Sequence, residues 1–522
     1  MRGAEHLSHS RSTVGRRSEA RRQRPKPSPL APAPKSLHLA SSLRRGTGTL
    51  HVTSDHLTRD PRSALRRPGV WGWMAFDFAA QPFFTVVITF VFGPYFVSQL
   101  ASDPATGQAW WSLAATIAGV IVALGSPFLG AVADRAGPRK PWIAFFAAFK
   151  IAALCLLWFA APGSPLVVAV LLVVVASVAA EFSIVFNDAM MPRLLNNREI
   201  GRVSNIAWGI GYAGGIVFLV GALAFLAGSQ ETGRTLLGLA PLFGLDPAAG
   251  EGSRATAPLA ALWYLVFILP MFFLTPDRPR GERVAASVRK GLGDLLATFR
   301  EIRQRKPLFQ FLIARMIYQD GVNALVVLGG AFAAGMFGWT LTESGLFGII
   351  LNVVAIPSCF AAGMLDARFG SKAVVTMAIL CLSAATIGII STSPDSALFG
   401  FLTFAPPDGG GGVFASGAEK SYIVFGLLIG LAFGPIQASS RSWMAKSVTP
   451  DEAGRYFGFY AFIGRATSFL APAAVAGATA LAAQNFDPIA ASRIGMASLI
   501  VFFVVGFVLV WRTPGPPETN RS

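Results

Sequence analysis

The sequence predicts an all-α polytopic membrane protein with twelve transmembrane helices in two six-helix bundles, and three observations carry that prediction. The first is composition. Of 522 residues, 53% are apolar and only 14% are Asp, Glu, Lys or Arg, with a mean hydropathy of +0.54; an ordinary soluble domain carries roughly 25% charge. Too little charge remains to cover a water-facing surface. The second is run length. The apolar residues come in blocks of about 20, and at about 1.5 Å per residue such a helix crosses a hydrocarbon core about 30 Å thick. The third is a loop that occurs twice, 233 residues apart, and divides the apolar part of the chain into halves.

Residues 1–65 are rich in Arg, Ser and Pro and contain no apolar run, so they are expected to be a disordered basic tail. They hold 13 Lys/Arg against 4 Asp/Glu, much of the net charge of +17. No h-region follows the arginines, which excludes a secretory or twin-arginine signal. An N-terminal bundle is expected over 66–274, with spans near 71–98, 109–133, 141–161, 164–190, 202–228 and 258–274. A cytoplasmic linker follows at 275–307. A second bundle is expected over 308–512, with spans near 308–336, 342–365, 373–391, 421–445, 455–482 and 491–511, and a short tail at 513–522. Within the linker, Val284, Val288, Leu292, Leu295, Phe299 and Ile302 recur at helical spacing. That pattern, flanked by arginines, predicts a basic amphipathic helix on the cytoplasmic leaflet.

Charge placement orients the spans. Segments on the side of the N-terminus hold about 37 of the 44 Lys/Arg; four (Arg234, Arg254, Lys420 and Arg493) fall on the other side. By the positive-inside rule both termini are cytoplasmic, and the expected location is a bacterial cytoplasmic (inner) membrane.

Several chemistries are excluded. All five histidines (His6, His9, His38, His51 and His56) lie in the tail, so the membrane part offers no Ser-His-Asp relay and no histidine-held zinc. Cys155, Cys359 and Cys381 are far apart inside apolar runs and read as packing residues. Gly209-Ile-Gly211-Tyr-Ala-Gly214 matches a dinucleotide fingerprint but no strand precedes it, so close helix packing explains it better. The Gly409–Gly412 tract lacks the Lys-Ser/Thr of a P-loop. No metal, cofactor or nucleic-acid partner is expected, and no enzymatic activity.

The duplicated loop reads Gly130-Ala-Val-Ala-Asp134-Arg135-Ala-Gly137-Pro-Arg139-Lys140 after span 2 and Gly363-Met-Leu-Asp366-Ala-Arg368-Phe-Gly370-Ser-Lys372 after span 8. The first copy resembles the signature loop of the major facilitator superfamily. That resemblance implies the major facilitator fold and a cytoplasmic latch built from Gly130, Asp134, Arg135, Gly137, Arg139 and Lys140, with a second copy at Asp366, Arg368 and Gly370. A narrower resemblance, to the vacuole-effluxer-like branch, rests on several runs. They are Trp73-Met-Ala-Phe-Asp77-Phe, Gly211-Tyr-Ala-Gly214-Gly215, Tyr318-Gln-Asp320-Gly321-Val-Asn323, Gly434-Pro-Ile-Gln437-Ala-Ser-Ser440-Arg441-Ser442 and Phe457-Gly458-Phe-Tyr460. That branch has a second acid in the second loop where Ala367 stands here, which implies a weaker C-terminal latch.

An ionisable group at the bilayer centre costs about 2.5–3.5 kcal/mol or more, so the eight that lie in or at the ends of spans mark function or structural pairs. They are Asp77, Lys150, Glu181, Asp188, Arg315, Asp320, Arg441 and Arg465. Six fall in spans 1, 4, 7 and 10, which in the resembled fold line the central cavity. The residues expected to contact substrate are Asp77, Gln81, Glu181, Asn187, Arg315, Asp320, Asn323, Gln437 and Arg441. Without histidine, proton coupling must use carboxylates, and Glu181 and Asp320 are first choices. Arg315 would recognise an anion such as a carboxylate, and it needs an acid partner, a bound anion or a watery cavity. The expected function is secondary active transport of a small polar solute by alternating access, with H+ or Na+, by a monomer in the lipid bilayer; the resemblance implies amino-acid efflux. Two rivals stand beside it. Pro141-Trp142 also resembles cation-coupled sugar symporters, which would favour aromatic stacking positions in spans 1 and 4, and a non-transporting membrane sensor is the other.

Overall fold

The computed structural model describes residues 61–228, 232–405 and 412–517, so the disorder expected of residues 1–60 and most of the Gly409–Gly412 tract lie outside it. Eleven described helices are long and apolar enough to cross a membrane. They make twelve crossings, because spans 8 and 9 run on as one helix, Leu341–Ile390, reversed at Gly370 with φ 81° and ψ 160°. Only glycine takes that conformation at low cost. The other spans are Pro68–Leu100, Pro104–Ala136, Lys140–Phe159, Leu166–Leu194, Asn197–Phe225, Glu251–Leu274, Lys306–Phe337, Gly417–Lys446, Ala453–Ala482 and Pro488–Arg512. Large apolar side chains such as Leu124 (69% exposed) and Phe273 (79%) point outward. This inverts the pattern of a soluble protein and suits a surface solvated by lipid.

Local sequence sets the ends and breaks of these helices. Spans 5, 8 and 10 open in capping boxes, Asn196/Glu199, Thr340/Glu343 and Ser416/Glu419, which satisfy otherwise orphaned amides. Span 1 becomes π-helical over Phe83–Phe90, directly after Pro82, where the proline interrupts the regular hydrogen-bond ladder. Span 11 is broken between Ala453–Ala466 and Leu470–Ala482; Pro472 lacks the N–H that would continue the ladder to Ser468. The run Gly209–Gly214 is mid-helix in span 5, and a Cβ at Gly214 would come 2.7 Å from the Phe78 carbonyl of span 1, so the glycines serve close packing.

One expectation needs correction. Regular structure is present within the stretch expected to be tail: Pro61–Arg66 is a short 3-10 helix with Ala64 buried. Next to it Arg67 donates to the Leu194 carbonyl at 3.0 Å and to Glu199 at 2.5 Å, fastening the chain to the end of span 4 and the start of span 5. The linker helix, Val284–Gln304, forms as expected, but its apolar positions divide. Ile302 is buried with Ser287 and Thr298, whereas Val284, Val288 and Phe299 are exposed.

The bundles meet closely on the face that carries the duplicated loops. A Cβ at Gly130 would overlap the Gly454 carbonyl oxygen, and one at Gly458 would overlap that of Ser126, so spans 2 and 11 cross backbone to backbone. Asp134 sits at this crossing. Its carboxylate accepts the Gly454 and Arg455 N–H groups, each at 2.8 Å, and the Arg139 guanidinium at 2.5 Å. The first turn of span 11 has no side-chain cap of its own. An acid from the opposite bundle therefore supplies the cap and neutralises the positive end of the helix dipole. Gly137 turns with φ 95°, Arg135 pairs with Glu282 at 3.6 Å, and the Lys140 ammonium donates to the Phe272 carbonyl at 2.8 Å. Burial pushes the Arg139 guanidinium below its usual range, opposed by the Asp134 charge.

The second loop is built differently. Asp366 abuts Gly201 of span 5, but its carboxylate accepts from Lys446 at 2.8 Å and Ser371 at 3.0 Å, both in its own bundle. Span 5 already has its own cap, the Asn196 side chain accepting the Arg198 and Glu199 amides. Arg368 lies over the Phe369 ring at 5.3 Å and makes no ion pair among the described residues.

A Val at Gly130 is expected to force spans 2 and 11 apart; single cysteines placed in the central cavity should then become more reactive from this face, and unchanged labelling would count against the crossing as a closure. Glu452 offers a pH test. Burial would raise its carboxyl, but hydrogen bonds from Arg305 and the Thr449 N–H outweigh that and hold it below the usual range. A carboxyl lowered in the folded state stabilises above its unfolded pKa, about 4.3, and that contribution is lost as pH falls through the folded value. The melting temperature is expected to drop below about pH 4, and less so in Glu452→Gln.

Candidate functional site

A cavity of about 520 Å³ opens between the bundles, lined from spans 4, 5, 7, 10 and 11. Its floor is an ion triad. Arg441 of span 10 donates to Asp77 of span 1 and to Asp188 of span 4, each at 3.1 Å, and to the Ser204 hydroxyl (2.9 Å) and carbonyl (3.0 Å) of span 5. A second bond to Asp77, also 3.1 Å, occupies the fifth donor. Trp73 and Trp208 lie against the guanidinium at 5.1 and 5.8 Å from their ring centres. Every acceptor belongs to the N-terminal bundle. Two carboxylates and one guanidinium, all largely removed from water, thus bolt the bundles together under the cavity.

Arg315 of span 7 stands in the cavity wall in different company. It lies over the Tyr460 ring at 3.5 Å and donates to the Tyr460 carbonyl at 3.0 Å. Gly464 leaves room for it, since a Cβ there would come 2.9 Å from Nη1. No described acid forms an ion pair with Arg315, and its Nε, buried, has no partner. Of the environments such a cation could have, the structure provides the open cavity.

Asp320, one position off the Arg315–Gln319–Asn323 stripe, points elsewhere. It accepts the Ala471 N–H at 3.1 Å and so caps the second half of broken span 11, while its other oxygen is buried without a partner. Glu181 of span 4 pairs with Arg465 of span 11 across the bundles, at the cavity edge. Of the other expected contacts, Asn323 and Gln437 line the cavity, Asn323 accepting from Gln319 at 2.9 Å. Gln81 instead reaches Thr85 at 3.4 Å. Asn187 is fully buried beside the triad, its backbone carbonyl accepting the Trp73 indole N–H at 2.8 Å while its side-chain amide has no partner among the described residues. Lys150 is remote from the cavity, enclosed in the N-terminal bundle over Tyr264 (3.8 Å) and Phe83 (5.0 Å).

The structure adds Asp188, Trp208, Phe433, Phe457, Tyr460 and Ser468 to the expected set. Asp188 carried a signal, being an acid inside span 4, and Phe457 and Tyr460 sit in the run that opens span 11. Nothing local in the sequence marks Trp208 or Phe433.

A family model described as "Vacuole effluxer Atg22 like" matches residues 108–516. The chain belongs to that family. It is 25% identical to the MFS-type transporter YxiO of Bacillus subtilis, over 86% of this chain and 96% of the relative. It is 24% identical to autophagy-related protein 22 of Cryptococcus neoformans, where the match spans 42% of this chain and only 38% of the relative. Solved structures show the same fold at low identity. The transporter FucP in its outward conformation superposes with a TM-score of 0.59 at 13% identity, covering 87% of this chain and all of FucP. The human organic anion transporter MFSD10 gives 0.59 at 14%, over 87% of this chain and 100% of its own. The protein is a secondary transporter of the major facilitator fold, embedded in a membrane.

Removing the triad's cation should be costly. Arg441→Met leaves two buried carboxylates unpaired and is expected to cost about 3–5 kcal/mol, read as a lower melting temperature. Adding Asp77→Asn and Asp188→Asn should restore most of it; no recovery would mean that the triad is not an electrostatic unit.

Proposed function

We propose that this transporter moves a small solute carrying a carboxylate, an amino acid being the first candidate, by alternating access across a bacterial cytoplasmic membrane, working as a monomer with both termini on the cytoplasmic side. The observation that carries the reading is Arg315, a buried guanidinium on the cavity wall with spare donors and no described acid partner. A solute carboxylate would supply the missing anion in a fork geometry that guanidinium suits. The distribution of Lys/Arg supports the orientation.

In the arrangement described, the Asp134 cap and the Arg441 triad hold the cytoplasmic side shut. Opening it must break both, and solute binding shifts the equilibrium only by its differential affinity for the two states. Glu181 and Asp320 are the proposed coupling acids, taking up H+ rather than Na+. A proton on Glu181 would release Arg465 and loosen one inter-bundle pair. A proton on Asp320 would weaken the cap on the second half of span 11, the helix on which Tyr460 and Arg465 are placed. The sugar-symporter reading finds less support. Trp142 stacks on Phe186 inside the N-terminal bundle, with ring centres 5.7 Å apart, and the cavity's aromatic lining comes from spans 5, 10 and 11.

The test is counterflow into liposomes with amino acids, sugars and nucleosides. Arg315→Gln is expected to abolish uptake of the accepted solute while the melting temperature stays within a few degrees, since no described acid loses an ion-pair partner. Wild-type uptake by a stable Arg315→Gln protein would overturn the assignment.

A further inference from the structure

Beside the central cavity lies a second chamber of about 260 Å³, walled by spans 1, 2 and 4. Its lining is apolar, with Phe83, Phe84, Trp111, Ala118, Gly119 and Val173 among the contributors. It shares two residues with the central cavity, Glu181 and Arg465, and those two form the ion pair that joins the bundles. The pair is therefore the partition between a polar room and an apolar one. Both side chains are partly exposed, 23% and 41%, and because they border open space on two sides they have room to part.

Span 2 shows how the chamber is kept open. Its large residues Leu113, Ile117, Val120 and Leu124 face outward and are exposed, while beyond Trp111 the chamber side presents only Ala115, Ala118, Gly119 and Val122. A Cβ built on Gly119 meets no atom within 4 Å. The chamber is open on one side, with Ala115 exposed and Gly119 half-buried, and whatever fills it restores the dispersion contacts that its lining atoms otherwise forfeit. Water is a poor filler for an apolar lining. The occupant that continuity with the cavity favours is part of the solute itself. Arg315 packs against Gly464, the residue before Arg465, so an anionic head held at Arg315 lies on the same stretch of span 11 as the partition.

We propose that this chamber is a second subsite, that it receives an apolar group of the transported solute, and that Glu181–Arg465 is its gate. The transported molecule is then an amphiphilic organic anion, with an acidic head at Arg315 and an aromatic ring or a chain of several carbons in the chamber. The proposal rests on the anion reading of Arg315 but extends it to the other end of the solute.

The full-length protein in nanodiscs is titrated with straight-chain alkanoates from propanoate to octanoate, with Arg315→Gln nanodiscs subtracting partition into lipid. The wild type is expected to gain about fourfold in affinity per methylene, the worth of one buried CH2, until the chamber is full. Gly119→Phe, which fills open space, is expected to bind propanoate within twofold of wild type and to lose the gain for longer chains. Gly119→Ala keeps it. An equal gain in wild type and Gly119→Phe would place the tail elsewhere and overturn the proposal. So would wild-type binding of propanoate with no gain along the series, the result expected if a lipid chain already fills the chamber. A wild type that binds none of the acids fails the Arg315 reading first, and the subsite with it.

Discussion

A guanidinium inside a membrane needs an acid partner, a bound anion or a watery cavity, and Arg441 finds two carboxylates, both on the opposite bundle. Much else in the molecule follows from that arrangement. The bundles cannot part on this side without exposing one cation and two anions, so the closed floor is held by electrostatics rather than by apolar packing, which gains little in lipid. Such a bolt is also reversible. Water entering from below would hydrate all three charges and remove much of the desolvation cost that makes breaking the triad unfavourable in a dry interior. Serine hydroxyl, serine carbonyl and flanking indoles complete the shell, which explains why a polar Ser204 is fully buried in span 5.

The sequence made the twelve crossings and the two bundles legible because both depend on quantities it displays directly: apolar length, the period of interruptions and the side on which arginines collect. The ion-bearing spans were legible for the same reason. Partnerships were not. Asp77 and Arg441 are separated by 364 residues, and nothing in either neighbourhood names the other. Asp320 shows a subtler failure. On helical spacing it belongs near the cavity, yet its direction is decided by where span 11 breaks, and only Pro472 hints at that break. The linker's apolar stripe was legible as a stripe, but which of its residues pack on protein depends on the surface it meets: Ile302 is buried, while Val288 and Phe299 stay exposed, as a helix lying on a leaflet would leave them.

The two duplicated loops illustrate how one motif diverges in physical role. Each presents an aspartate to the start of a helix in the other half, but the outcome depends on what that helix already has. Span 5 begins with its own asparagine cap, leaving Asp366 to Lys446. Span 11 begins with bare amides, and Asp134 takes them. A pseudo-symmetric pair of sequences thus yields one contact that crosses the molecule and one that stays within its own half.

The borrowed cap has a thermodynamic corollary. When the two halves separate at this crossing, the amides of Gly454 and Arg455 lose their acceptor, so the first turn of span 11 must fray, find water or recruit another oxygen. Helix stability and carrier state become the same variable there, and the backbone itself acts as a reporter. Protons on these two nitrogens would exchange with solvent at a rate set by how often the carrier turns over, while those of span 5, capped from within, would keep their protection through the whole cycle.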